Sequence, residues 1–351
     1  MTSRLPTRMT SLQAASLPPE RQFARAGSRQ APLGAYENDG QVQQPSIRCT
    51  GALRQTGSSQ PLRTSMWQAP IVVLPADGHV HSEWSWDAIS GSMRQTCARA
   101  VAMGLPAVAF TEHADYTTSI VLAGDLEENE HLKAFATPEG TLVPPELNLD
   151  GYLECLQRCR GRFPDLQIIS GVELGEPHWH GDVAGSLLNT GQFDRVLGSL
   201  HCLPFGRQFS EMPNLYRERP AAEVVREYLA EIPRLIEGSD VFAVLAHIDY
   251  PLRYWPAAGG SFDPNAFQDE FRHALRVLAQ SGRALEINPS GQLHPEPVRW
   301  WREEGGRAVT FGSDAHVPTR LAYRFAEAAA MVEANGFQPG RHPFDFWRRS
   351  S

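Results

Sequence analysis

The chain has 351 residues, of which 42% are hydrophobic, and a formal net charge of −8. That length allows one large domain or two ordinary ones, with enough apolar residues for a substantial core. The acidic balance argues against a general binder of membrane surfaces or of long nucleic acid, because phosphate contacts need clustered Lys and Arg.

Residues 1–66 are rich in Ser, Gln, Arg, Pro and Gly and lack sustained periodicity. Such a segment buries too little apolar surface to offset its ordering entropy, so it is expected to be a disordered extension ahead of a folded unit at 67–351. It has no apolar core of a secretory signal, and no stretch of the chain approaches the roughly 18 apolar residues of a membrane span. The default location is the cytoplasm.

From residue 67 the pattern alternates strand and helix. A first strand is expected near 71–77, then a helix at 93–103 closed by Gly104. A second strand at 107–111 leads into a polar insertion, 117–148, read as a surface loop over the site. Asp150 is a plausible N-cap for a helix through Arg162, stopped by Pro164. Strands follow at 167–172 and 195–200. A helix at 221–236 carries Val224, Val225, Tyr228, Leu229 and Ile232 on one face. A strand at 241–246, a helix at 265–281, a strand at 284–288, a helix at 297–304, a strand at 308–311 and a long helix at 320–335 complete the series. Seven mostly apolar strands alternating with helices imply parallel pairing covered on both faces.

The chemistry lies at the ends of these strands. His79 and His81, in Asp-Gly-His-Val-His, stand two apart and so point to one face of a strand. His113, Glu173, His201, His247 and the pair Asp314 and His316 end later strands, and Asp87 follows the first pair. Functional groups at nearly every strand end favour a barrel, whose active site is at that rim, over an open sheet with one switch point. Imidazole with carboxylate suits zinc, iron or manganese, and eight or nine ligands exceed one tetrahedral ion, so two or three divalent ions are expected. The five cysteines, Cys49, Cys97, Cys155, Cys159 and Cys202, are odd in number and scattered, which argues against a disulfide framework.

The order His-x-His, Asp87, His113, Glu173, His201, His247, Asp-x-His resembles the PHP (polymerase and histidinol phosphatase) superfamily over about residues 70–320. The resemblance implies a distorted (β/α)7 TIM-like barrel with a trinuclear centre at the C-terminal rim of its strands. It implies that His79, His81, Glu173 and Asp314 hold one ion, that Glu173 bridges to a second held by His201 and His247, and that Asp87, His113 and His316 hold a third. Some members carry His at the Asp87 position, so metal preference here shifts toward harder ions. The implied activity is hydrolysis of a small phosphate monoester, histidinol phosphate above all, by a hydroxide bridging the first two ions. Arg253 is the expected phosphate clamp, since its guanidinium matches phosphate bidentately. His178 and His180 are candidate substrate contacts. Trp84, Trp86, Trp179 and Trp255 are candidate pocket walls, and Glu112 and Asp249 candidate partners of the ligand imidazoles. The alternatives are a PHP phosphoesterase acting on nucleotide or oligonucleotide ends, and a PHP domain kept as a non-catalytic module. An amidohydrolase using a carboxylated strand-end lysine is disfavoured, because Lys133, the chain's one lysine, falls in the insertion.

Overall fold

The computed structural model of the chain describes residues 74–122, 126, 130–191 and 193–350. The expected disordered segment 1–66 lies outside the described residues, as do Ile71, Val72 and Val73 of the expected first strand. In chain order the strands are β1 (Asp77–Val80), β2 (Ala107–Ala114), β3 (Ser119–Ile120), β4 (Thr141–Leu142), β5 (Gln167–Gly175), β6 (Arg195–Ser199), β7 (Cys202–Phe205), β8 (Gln208–Glu211), β9 (Val244–Leu245), β10 (Ala284–Ile287), β11 (Ala308–Phe311), β12 (Phe337–Gln338) and β13 (Trp347–Arg349). Nine of them form one sheet in the order β1-β2-β5-β6-β9-β10-β11-β13-β12. The neighbours from β1 to β11 are all parallel, and at least one helix lies between each of these seven strands and the next. All eight residues of β2 are buried, as a strand covered on both faces requires. No helix among the described residues is long and apolar enough to cross a membrane.

The sheet curls until its first strand meets the segment beyond β11. Val80 bridges Ala315 in parallel, the His81 N–H donates to the Ala315 carbonyl at 3.1 Å, and the Asp314 N–H donates to the His79 carbonyl at 2.8 Å. Buried Asp77 staples the same seam by accepting the Ser313 and Ala322 N–H groups, each at 2.9 Å. The apolar face read at 221–236 is buried throughout in the helix Ala221–Gly238.

Several elements differ from the sequence expectation. β2 and β5 run three residues further, because they pair in register from Ala107↔Gln167 to Ala114↔Leu174, so His113 and Glu173 lie inside the ladder. The 149–162 helix is capped by Asn148, whose side chain accepts the Gly151 N–H, while Asp150 sits in the first turn. The 117–148 insertion is no plain loop: β3 and β4 join the β7–β8 hairpin in a second sheet ordered β4-β3-β8-β7. The long helix expected at 320–335 is broken. A 3-10 turn at Pro318–Arg320 gives way to Ala322 and Arg324 with positive φ, and the helix runs only over Phe325–Ala334. The hydrogen bond from Ala322 to Asp77 diverts the chain there.

Candidate metal centre

His79 and His81 leave β1 on one face, as the two-residue spacing demands, and their Nε2 atoms stand 3.0 Å apart. Glu173, one pair from the C-terminal end of the β2–β5 ladder, reaches into the same space. Its Oε2 lies 3.1 Å from His79, 3.3 Å from His81 and 3.2 Å from His113, and its Oε1 lies 3.2 Å from His201 and 2.8 Å from His247. Asp314, held at φ 53°, places Oδ1 3.0 Å from His81 Nε2 and 3.5 Å from His79 Nε2. Asp87 Oδ2 lies 3.0 Å from His316 and 3.4 Å from His113. Three sets have donor atoms within 4.8 Å of one another: His79, His81, Glu173 and Asp314; His113, Glu173 and His201; His81, His113 and His316.

The partners of the other ring nitrogens test whether this set fits a cation. His79 Nδ1 is 2.8 Å from Glu286 Oε2, an acceptor, so Nδ1 carries the hydrogen. Ser85 Oγ donates to Glu112 at 2.7 Å and therefore accepts from His81 Nδ1 at 2.9 Å. With Nδ1 carrying the hydrogen, Nε2 of each ring is the atom left to face the cluster; at His79 burial opposes a second proton, but Glu173, Glu286 and Asp314 raise the pKa well above its ordinary value. The two Nε2 atoms face each other and two carboxylate oxygens, an arrangement that a positive charge stabilises, whether a proton in the stripped protein or a bound cation. Two nitrogens and two oxygens at the first set match the donors zinc accepts.

The electrostatics agree. Burial disfavours ionised Glu173, yet His79, His113 and His201 outweigh it and hold the carboxyl well below its usual range. Burial likewise opposes ionised Asp314 and Asp87, and the Arg253 guanidinium with His79 for the first, and His113 with His316 for the second, hold both well below normal. His113 is pushed up to about 10: burial opposes its charge, but Asp87, Asp115 and Glu173 prevail. His247 alone among these histidines goes down, through burial, despite its bond to Glu173.

A cavity of about 350 Å³ opens above these groups, lined by Trp86, Asp115, Glu211, Tyr250, Arg253 and Tyr254 among others. Arg253 Nη1 is 2.6 Å from Asp314 Oδ2, and its buried Nη2 has no acceptor. His178 is not at this cavity. Its Nε2 is 3.1 Å from Glu231 Oε1 on the Ala221–Gly238 helix, which packs it away from the expected substrate side. His180 stands behind the wall, 2.9 Å from Thr117 Oγ1. Of the four tryptophans only Trp86 lines the cavity. Trp255 packs on Tyr216, Phe262 and Phe267, Trp179 on His178 and Phe209, and Trp84 lines a neighbouring hollow. Glu112 acts on His81 through Ser85, whereas Asp249 has no imidazole contact among the described residues.

Four acids escaped the sequence analysis, one of them Glu211 at the cavity wall. Asp115 lies 3.4 Å from His113 and 3.5 Å from His201, and the Trp86 indole N–H donates to it at 2.9 Å. Glu286 orients His79. Glu176 accepts the N–H groups of His201 (2.6 Å) and Cys202 (2.9 Å), fixing the turn that presents His201. The signal for Asp115 was present: it stands two residues after His113, the same spacing that makes His79 and His81 a pair.

A family model described as the PHP domain matches residues 77–290. The histidinol-phosphatase of Lactococcus lactis subsp. lactis is 25% identical over 269 residues, 74% of this chain and 91% of that protein. A protein named "Probable histidinol-phosphatase" from Thermotoga maritima is 28% identical over 272 residues, 75% of this chain and 93% of its own length. Among solved structures, Lactococcus lactis histidinol phosphate phosphatase, complexed with zinc, L-histidinol and phosphate, superposes with a TM-score of 0.63 at 24% identity, covering 78% of this chain and 98% of that one.

Proposed function

The chain belongs to the PHP domain family, and from that premise we propose that it is a metal-dependent phosphatase of small phosphate monoesters, with histidinol phosphate as its substrate. The single observation that carries this reading is the convergence of the His79 and His81 Nε2 atoms on Glu173 and Asp314, beside an arginine with a free N–H. The curled sheet reads as a distorted (β/α)7 barrel within 67–351. His79, His81, Glu173 and Asp314 would hold one divalent ion, Glu173, His201 and His247 a second, and Asp87, His113 and His316 a third, with zinc, manganese or iron as candidates. The close approach of His113 to Glu173 and of His81 to His316 makes the sets share ligands. Bound ions of this kind supply Lewis acidity toward phosphoryl oxygens and an activated water.

The chain's own groups do the rest. Arg253, kept charged by Asp314 and Asp249 against the cost of burial, lines the cavity and keeps Nη2 without an acceptor, a donor that a phosphate oxygen would satisfy. The Glu211 carboxyl has no hydrogen-bond or ion-pair partner among the described residues, and burial raises its pKa to about 7. An incoming ammonium group, such as histidinol phosphate carries, would ionise it and pair with it. Trp86, Tyr250 and Tyr254 wall the cavity against bulk water.

Metal analysis of the purified protein, with phosphate release measured on histidinol phosphate, nucleoside monophosphates, oligonucleotide ends and an aryl phosphate, tests the proposal. Rapid turnover of histidinol phosphate by the metal-loaded protein is expected. Preference for nucleotide ends would replace the substrate, and no turnover by fully loaded protein would make the domain a non-catalytic module.

A further inference from the structure

A second cavity, of about 690 Å³, opens at the opposite edge of the sheet, where β5, β6 and β11 begin and β13 joins them. Its walls are Ile169, Phe344 and Phe346, and three arginines reach it: Arg195, Arg341 and Arg348. Arg195 is half-buried. Its head lies against β1, since a Cβ on Gly78 would stand 2.3 Å from Nη1, and the face of Phe346 covers it at 4.7 Å. Thr310 Oγ1, at 3.3 Å, is its one hydrogen-bond acceptor among the described residues, and no carboxylate pairs with it. Arg341 and Arg348 are exposed and likewise have no ion-pair partner among the described residues. The two acids at the rim are otherwise engaged: Asp194 accepts from the Ser170 hydroxyl at 2.8 Å and from Arg160, and Asp345 accepts the His342 N–H at 3.0 Å.

We propose that this cavity is a second binding site, for a small monocarboxylate with an apolar body. A guanidinium with one neutral acceptor has donors left for a planar carboxylate, which it meets in a bidentate fork. Glu286 and Asp77 act electrostatically on Arg195, and with Asp194 and Asp345 at the rim they offset part of the arginines' charge, which suits a monoanion better than a phosphate dianion. Ile169, Phe344 and Phe346 give the apolar body its contact. Burial draws Arg195 down to about 10, so it is still charged at neutral pH. The site faces away from the metal ligands, which leave the other ends of the same strands, so this inference is independent of the phosphatase reading.

The test titrates 3-phenylpropionate into the metal-loaded protein, followed by saturation-transfer NMR and calorimetry. Saturable binding is expected. It should weaken about tenfold or more in the paired variant Arg341→Ala/Arg348→Ala and in Arg195→Gln, and persist in Arg253→Ala. The surface pair decides the matter if Arg195→Gln fails to fold. Wild-type-like binding by the pair, no saturable binding at all, or loss confined to Arg253→Ala would each overturn the proposal, the last by moving the ligand to the metal centre.

Discussion

Glu173 is the residue on which the candidate centre turns. Its two oxygens face different histidines, Oε2 toward His79, His81 and His113, Oε1 toward His201 and His247, so one carboxylate can serve two cations at once. Glu173→Gln replaces one oxygen with a donor and removes the charge. Metal content should fall below the wild-type stoichiometry and phosphate release by at least about a hundredfold, measured together by elemental analysis and steady-state kinetics; full loading with normal turnover would refute the bridging role. Arg253→Ala should raise KM for the phosphate monoester about tenfold or more, one charge-assisted bond being lost, and unchanged kcat and KM would sink the clamp. Glu211→Gln should raise KM for an ammonium-bearing substrate by a similar factor while leaving an aryl phosphate unaffected. At this scale much was legible. An imidazole pair two apart on a strand announces a shared face, and repeated acids and imidazoles at strand ends announce a common centre. Glu286 was not, since a lone Glu inside Ala-Leu-Glu-Ile reveals its role only when a strand 207 residues away brings His79 to it.

Among the elements, the most informative is the seam where β1 meets the segment after β11. Gly312 is required there: a Cβ would stand 2.6 Å from both Glu286 Cδ and His79 Cβ. Asp77 fixes the same seam through two backbone N–H groups. Asp77→Ala would leave both donors buried and unpaired, so stability should drop by about 3 kcal/mol, read as a lower denaturation midpoint; a shift within error would show the staple to be dispensable. Periodicity placed the strands and helices but not their lengths. The extension of β2 and β5 comes from their pairing with each other, and the break at 321–324 comes from Asp77, far away in sequence. Neither cause is local, and a local pattern cannot carry it. The β7–β8 hairpin was missed for a different reason: four-residue strands are too short for alternation to stand out.

For the whole molecule, metal and proton compete for the same imidazoles. In protein stripped by a chelator, His113 with its pKa raised to about 10 contributes stability that is complete below its ordinary 6.5 and is lost as pH rises through 10. In loaded protein the ions take the proton's place, and their affinity rises with pH as the imidazoles are freed. The gap in melting temperature between loaded and stripped protein should therefore widen from pH 7 to pH 9.5. Scanning calorimetry with and without chelator checks this, and parallel curves would contradict it.

The seam also sets an order of events during synthesis. His79 leaves the ribosome long before Asp314 and His316, yet all three meet in one cluster, and the β1 edge has no partner on that side until Ala315 arrives. Early β–α units can pair as they emerge, but the four-donor set cannot exist until nearly the whole chain has been made. Loading of the four-donor set is thus a late step, coming after Glu173, His201 and His247 have already been made.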